Sequence, residues 1–352
     1  MDTIGAGSDA PDALGFHLVA GADGTPVHGF NLSGAGAEDD AIWVELTSGD
    51  TLDDVTVSHN DMTGVVEVDL SGSSTLDGLE IAWNDVSEND VDIDFEGADA
   101  TLTNARITNN RIEDGVGDVI LPSLNQTGAS ADLLIECNEV INAGSDAIEF
   151  QLNDGGEYNI RVLNNTIDGA GDTGIEFLDG PGSDAMIDIR YNEIRNCDAH
   201  AIEFDDGGGD LAGVTVTENN IDGNAVGVKN DSSSVLDARN NWWGDATGPG
   251  AENNEEDPDT NEPADGDGDT IDSTNDESVR FDPWLESAVD RPQCEQDVES
   301  DGVWRSDAGR DTDDSDIRND TDSERGLFRR YLSRDGTWRG ERSHSHRRGR
   351  GR

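Results

Sequence analysis

The sequence has very little positive charge and almost no lysine. Its 352 residues include 79 acidic and 22 basic side chains, for a formal net charge of −57, and Lys229 is the only lysine. So acidic a surface repels phosphate, which excludes nucleic acid as a partner for the main body of the chain. Excess acid with almost no lysine is typical of proteins from high-salt organisms, where screening removes the self-repulsion.

Long apolar runs are also missing. No segment approaches the roughly 20 apolar residues of a membrane helix, so we predict no membrane span. The first residues, Met1 to Gly5, lack the basic start and apolar stretch of a signal peptide. We expect either a true start site upstream of Met1 or a fragment.

One short pattern is present instead, and it returns through most of the chain. It reads apolar, any, apolar, any, any, Asn, any, apolar, and its asparagines are 22 to 28 residues apart. They are Asn60, Asn84, Asn110, Asn138, Asn165, Asn192, Asn219 and Asn241. A period in the twenties indicates a solenoid, and short runs rich in Val and Ile indicate strands.

The asparagines are predicted to form a ladder inside the solenoid. Stacked coils bring equivalent side chains about 4.8 Å apart, and each amide has both donors and an acceptor, so the column satisfies itself. A simple preference of Asn for turns explains one such residue but not eight in register.

With this ladder the chain resembles the right-handed parallel β-helix proteins of the pectin-lyase-like superfamily. The resemblance covers about residues 27–249 and includes the closing motif from Asn240 to Pro249, which is similar to that of prokaryotic surface repeats. Together with the acidity, it implies a halophilic archaeal surface type. It also implies an all-β fold of about eight coils and export to the cell surface. Activity is not implied, because the superfamily holds lyases, hydrolases, epimerases and binding proteins.

Five regions are expected along the chain. Residues 1–26 are a degenerate N-terminal segment, 27–249 the parallel β-helix, 250–278 an acidic linker and 279–289 a closing strand. Residues 290–352 are predicted to be a disordered tail with an Arg-rich end, which is either a basic arm or the product of a shifted reading frame.

The three cysteines are expected to be free thiols. Cys137 and Cys197 are two coils apart, so their Cα atoms should be at least about 9 Å apart, beyond the range of a disulfide. Cys294 falls in the predicted tail.

One strand per coil carries the candidate site. Alternation places Ile and Phe inside and the residue between them outside. The predicted outward column is Trp43, Glu67, Asp94, Ile120, Glu149, Glu176, Glu203 and Gly227, and the next is Glu45, Asp69, Glu96, Pro122, Gln151, Leu178, Asp205 and Lys229. In polysaccharide-active members of the resembled superfamily, this sheet lines the substrate groove.

The candidate catalytic residues are Glu149, Glu176, Glu203, Asp205 and Lys229. Three glutamates about 4.8 Å apart cannot all ionise cheaply, so either a cation such as Ca²⁺ lies between them or Glu176 has a raised pKa. Neighbouring carboxylates approach the about 5 Å separation of a retaining glycosidase. A hydrated halophilic surface is the competing interpretation of the column, and a salt bridge between Lys229 and Asp205 is the competing interpretation of the lysine.

A second, weaker calcium candidate consists of Asp265, Asp267, Asp269 and Asp276. The first three have the spacing of a calcium loop, but Thr270 replaces the turn glycine and Asp276 replaces the bidentate glutamate. Acidic low-complexity sequence is the alternative.

These features predict an exported or cell-surface β-helix, monomeric in form, that binds polysaccharide or has a structural role. The alternative is a polysaccharide hydrolase or lyase acting in the acidic groove. A neutral glycan suits this groove better than a polyuronate, which it repels.

Stability is expected to depend on salt. Thermal unfolding followed from molar salt down to about 0.1 M, where the Debye length reaches about 10 Å, should show a large loss of stability. An unchanged melting temperature over this range contradicts the halophilic interpretation.

Overall fold

The computed structural model describes residues 15–294, apart from 33–39, 154, 179–181, 183–184, 206–208, 252, 254 and 274–277. The predicted disordered tail therefore lies outside the described residues from position 295 onward, as do residues 1–14.

Three parallel sheets, named A, B and C, extend along the described coils, and most coils add one strand to each sheet. Sheet A has, in spatial order, Phe16–Val19, Asp40–Leu46, Val65–Leu70, Val91–Phe95, Ile120–Ser123, Ile148–Phe150, Ile175–Phe177, His200–Phe204, Val226–Asn230, Gly268–Ser273 and Pro249–Ala251. Sheet B has Pro26–His28, Thr56–Ser58, Glu80–Ala82, Thr101–Thr108, Ser130–Glu136, Glu157–Leu163, Met186–Arg190, Val214–Thr217, Leu236–Asp237 and Val279–Arg280, with Thr51–Asp53 and Thr75–Asp77 beside it. Sheet C has Asn31–Leu32, Asp61–Met62, Asp85–Ser87, Arg111–Glu113, Glu139–Ala143, Thr166–Ala170, Glu193–Arg195 and Asn220–Asp222. A 3₁₀ turn, Leu211–Gly213, is capped by Asp210. The predicted parallel β-helix is confirmed.

The core is a set of apolar columns inside the coils. Phe150, Phe177 and Phe204 are fully buried and stack face to face, with ring centroids 4.7 and 4.8 Å apart. Strand alternation directs these side chains inward, as predicted, and the strand spacing sets the distance between their rings.

The asparagine ladder is present along its whole predicted length. Apart from Asn241, which ends the ladder, each asparagine donates its amide nitrogen to the amide oxygen of the next one over 2.9–3.1 Å, and its backbone N–H donates to the same oxygen. Each amide also donates to a buried carbonyl of the preceding coil, as Asn84 does to Val57 over 3.0 Å. The ladder thus supplies hydrogen-bond partners to buried backbone N–H and carbonyl groups that no strand pairing reaches.

The residue before every ladder asparagine has a left-handed backbone conformation. It forms the corner that joins sheet B to sheet C. The φ angles of these residues are between 55° and 60°, although none is glycine. The residues are His59, Trp83, Asn109, Cys137, Asn164, Tyr191, Glu218 and Asn240. Such a conformation is costly for most side chains, so the bonds of the following asparagine hold the corner in place.

The two ends of the solenoid differ from the expectations. Phe16–Val19 pairs with Asp40–Leu46, so regular structure begins before residue 27. At the other end, Gly268–Ser273 lies within the expected acidic linker, yet it is a strand of sheet A. Carboxylates make this possible, since Glu255 accepts from the Ser273 hydroxyl over 2.6 Å. Acidic composition therefore does not imply a solvated linker here.

The prediction that all cysteines are free was wrong for two of them. Cys137 and Cys294 form a disulfide with Cα atoms 5.7 Å apart, whereas Cys197 is free and buried. Residues near Cys294 return along the solenoid to the coil of Cys137, a path that composition alone did not indicate.

Candidate functional site

The outer face of sheet A gathers the candidate residues, in a register that differs from the predicted one. Its first column is Trp43, Glu67, Asp92, Leu121, Glu149, Glu176, Glu203 and Lys229, and its second is Glu45, Asp69, Asp94, Ser123, Gln151, Leu178, Asp205 and Asp231. The predicted positions of Asp94 and Lys229 were wrong by one alternation of the strand, and Ile120 and Pro122, predicted to face outward, are buried inside. Turns of unequal length precede sheet A, and the sequence does not show where each turn takes up its extra residues.

The three glutamates are stacked as predicted. Glu149 pairs with Glu176, and Glu176 pairs with Glu203, in neighbouring strands. Yet Glu149 and Glu203 are each only 6% exposed. Glu149 and Glu203 are therefore largely removed from water, whereas Glu176 between them is partly exposed.

Glu203 is held by two basic side chains. Its Oε1 lies 2.6 Å from Lys229 Nζ, and its Oε2 lies 2.6 Å from His200 Nδ1. Thr173 also donates its hydroxyl to Oε2 over 3.3 Å. Burial alone would raise the pKa of Glu203, but the bonds from His200 and Lys229 outweigh it and lower the pKa to about 2.

Lys229 therefore pairs with Glu203 and not with Asp205. Its ammonium also lies 3.0 Å from Asp231 Oδ2. Burial opposes the charge of Lys229, but hydrogen bonds to Glu203 and Asp231 raise its pKa above the ordinary value. The lysine stays protonated and is not available as a base.

Glu176 has the opposite protonation state to Glu203. Burial, followed by the nearby carboxylates of Asp146, Glu203 and Glu149, raises the pKa of Glu176 to about 8. Burial likewise raises the pKa of Glu149 to about 7, against a hydrogen bond from Gln151. At neutral pH an acid, Glu176, thus lies one strand away from an ionised carboxylate, Glu203.

A second group of carboxyls, not singled out from the sequence, lies towards the N-terminal end of the same face. Burial and the neighbouring Asp69 and Asp92 raise the pKa of Glu67 to about 9. Burial and Asp94 raise that of Asp92 to about 7. Trp43 donates its indole N–H to Asp69 over 2.8 Å. Alternating acids in two successive strands were the sequence signal for this group.

A comparison with protein families decides the family of this chain. The family described as right handed beta helix region matches residues 40–242, which is more than half of the sequence. The chain belongs to the right-handed β-helix family. None of the curated proteins matches it.

No part of this β-helix within the described residues forms a helix that is long and apolar enough to cross a membrane.

Three sets of carboxylates on sheet A of the β-helix, or on the turns leading into it, could hold a cation. In each set the ligand oxygens lie within 4.8 Å of one another. The sets are Glu67 with Asp69 and Asp94, Asp118 with Asp146 and Glu149, and Glu203 with Asp205 and Asp231. Oxygen ligands suit a hard cation such as Ca²⁺, but in the third set the Lys229 ammonium already supplies positive charge.

The predicted calcium loop has another arrangement in this β-helix. Asp265 and Asp267 are exposed, and Asp276 lies outside the described residues. Asp269 accepts from the backbone N–H groups of Gly223 and Asn224, each over 2.9 Å. These bonds join the last strands of sheet A to the preceding turn, which is a structural role.

Proposed function

We propose that this β-helix is exported or displayed at the cell surface, where the outer face of sheet A binds polysaccharide. The observation that supports it is two runs of carboxyl groups in the first column, one of two and one of three successive coils, in which Glu67 and Glu176 have pKa values of about 9 and 8. A protonated carboxyl both donates and accepts hydrogen bonds, as a ligand rich in hydroxyls requires. The strand spacing of about 4.8 Å places the next group along the path of an extended chain.

The ligand we propose is a neutral glycan. The same face carries ionised Glu203 and further acidic side chains in the second column, including Asp69, Asp94 and Asp205. A polyuronate is repelled by these charges unless cations bridge it.

Export is supported by the disulfide between Cys137 and Cys294. Disulfides form and persist mainly in oxidising compartments outside the cytosol.

Binding is tested with soluble neutral and uronate polysaccharides and purified full-length protein. We expect a neutral glycan to bind and Glu176→Gln, which keeps a hydrogen-bonding group, to retain that binding. Glu203→Ala should weaken binding at least tenfold, because it removes the partner of Lys229 and His200. The matched control is Glu80→Ala, because Glu80 is an exposed acidic residue of sheet B. If no glycan binds, or if polyuronates bind best without added cations, the proposed function is wrong and a structural role takes its place.

Hydrolysis of the bound glycan is a second candidate function, favoured by the unlike protonation of Glu176 and Glu203. A carboxylic acid can protonate the leaving glycosidic oxygen while a neighbouring carboxylate attacks the anomeric carbon, and water then releases the sugar. Adjacent strands put the two groups close to the separation of a retaining enzyme. A lyase is less well supported, because Lys229 is held as a cation between Glu203 and Asp231.

Glu176→Gln separates these possibilities. If Glu176 is the acid, the substitution should lower turnover of a neutral glycan about 10²–10⁴-fold and leave glycan binding in place. If a Ca²⁺ ion occupies the column instead, the substitution should weaken calcium binding and leave the melting temperature in chelator unchanged. If the wild type hydrolyses none of the glycans that it binds, the enzyme function is rejected and the binding function remains.

A further inference from the structure

The last ten described residues, 285–294, return along the corner that precedes the ladder asparagines. Leu285 donates its backbone N–H to the carbonyl of Asn241 over 2.9 Å. Val289 and Asn220 exchange two bonds, of 2.7 Å to the amide oxygen and 3.2 Å from the amide nitrogen. Because Asn220 belongs to the coil before Asn241, this segment runs back across the coils. We call residues 285–294 the strap.

Arg291 attaches the strap to two further coils. Its guanidinium donates to the carbonyl of Asn165 and to the hydroxyl of Thr166, each over 2.9 Å. It also lies 3.2 Å from Glu193 Oε2 in the next coil. The Arg291 side chain is mostly buried, and burial lowers its pKa from the ordinary value.

The strap ends in the disulfide to Cys137, a residue 157 positions earlier in the sequence. The amide of Asn164 donates to the Pro292 carbonyl over 2.9 Å and to Cys294 Sγ over 3.1 Å. The strap therefore contacts every coil from that of Asn241 back to that of Asn138.

Little besides the disulfide opposes release of the strap. Seven of its ten residues are exposed, namely Glu286, Ser287, Ala288, Asp290, Pro292, Gln293 and Cys294. It contains no strand, and besides the disulfide its contacts are the hydrogen bonds and the ion pair described above, at partly exposed positions where water replaces them at small net cost. Ordering ten residues costs more conformational entropy than such bonds recover. A covalent link keeps the segment at a high effective concentration against the corner.

We propose that the strap is a redox-controlled clasp, closed over the corner of the last five coils while Cys137 and Cys294 are joined and released when they are reduced. Opening consumes one dithiol. Its two thiols supply two electrons and two protons to the S–S bond and are oxidised to a disulfide, which leaves Cys137 and Cys294 as thiols. Cys294 is exposed and thus open to attack. In a reducing cytoplasm the clasp is open, and it closes in an oxidising compartment.

The proposal goes beyond glycan binding and does not depend on it, because the strap lies on the corner between sheets B and C and the proposed binding face is sheet A. It is tested on the full chain by hydrogen exchange with and without dithiothreitol under native conditions. We expect exchange at the Val289 amide to become at least tenfold faster on reduction, with the Phe177 amide of sheet A unchanged. Slow exchange at Val289 in the reduced wild type overturns the proposal, as does the absence of a linked Cys137 and Cys294 peptide in protein prepared without reductant.

Two variants complete the test. Cys294→Ser should exchange at Val289 as fast as the reduced wild type, with no further response to dithiothreitol. Cys197→Ala removes the free thiol and is the matched control, so it should behave like the wild type in both conditions. A response of the Cys294→Ser variant to dithiothreitol shows that another group carries the redox effect, and it overturns the proposal.

Discussion

Asn165→Ala is expected to destabilise the protein by about 4 kcal/mol or more, because buried hydrogen-bonding groups are stranded in two coils. The amide oxygen of Asn165 accepts from the backbone N–H and the side-chain amide of Asn138, over 2.9 and 3.0 Å. Its amide nitrogen donates to Asn192 over 3.1 Å and to the Ile135 carbonyl over 2.9 Å. Alanine removes all four bonds in a place that is closed to water, since Asn165 is 0% exposed. Urea unfolding followed by circular dichroism measures the loss.

The matched control is Asn159→Ala. Asn159 is exposed on sheet B, where its amide donates to Asp132 over 2.8 Å. Water can replace this bond, so a loss below about 1 kcal/mol is expected. Equal losses for the two variants contradict a structural role of the ladder.

A strong dependence of stability on pH is the second large expected effect, with the free energy of unfolding falling from pH 5 to pH 9. Burial first, and then neighbouring carboxylates, raise the pKa of Glu67 from 4.5 to about 9 and that of Glu176 from 4.5 to about 8. The folded state therefore keeps protons that the unfolded state loses. This contribution is fully present below the unfolded pKa and is lost as the pH rises through about 8 to 9.

Glu203 acts in the opposite direction. Its pKa is lowered from 4.5 to about 2, so its contribution is present above about 4.5 and is lost as the pH falls towards 2. The two effects together place maximal stability near pH 5. Allowing for solvent screening of these partly exposed groups, we expect a fall of about 3 kcal/mol or more between pH 5 and pH 9.

Denaturant unfolding at constant ionic strength tests this expectation. The double variant Glu67→Gln and Glu176→Gln should have a flatter profile between pH 6 and 9, because neither amide titrates. Glu80→Gln removes an acidic residue from the exposed face of sheet B, so it controls for net charge. If the control flattens the profile as much as the double variant does, overall charge and not the sheet A carboxyls causes the pH dependence.

Much of the fold followed from local sequence. Each coil repeats the same sequence pattern, which has an inward amide at the corner and apolar residues at alternate strand positions. Asn138 and Asn165 could therefore be assigned without knowing which coil was which, and the stack of Phe150, Phe177 and Phe204 follows from the same alternation.

The candidate site was predicted less completely. The glutamates Glu149, Glu176 and Glu203 were assigned to one column because their coils have turns of equal length. Lys229 was misplaced because the turn before its strand differs from its neighbours, and a change of one alternation moves the ammonium from Asp205 to Glu203. That displacement decides the chemistry, since the lysine keeps Glu203 ionised.

The sequence by itself determined the repeat, the asparagine ladder and the face of the β-helix on which the acids lie, because these depend on a period and on strand alternation. The tertiary structure alone decided that Lys229 keeps Glu203 ionised and that Cys294 joins Cys137. Both depend on contacts between distant parts of the chain, 26 residues apart for Glu203 and Lys229 and 157 for the disulfide. Turn lengths and the path of the strap set those contacts, and neither leaves a periodic signal in the sequence.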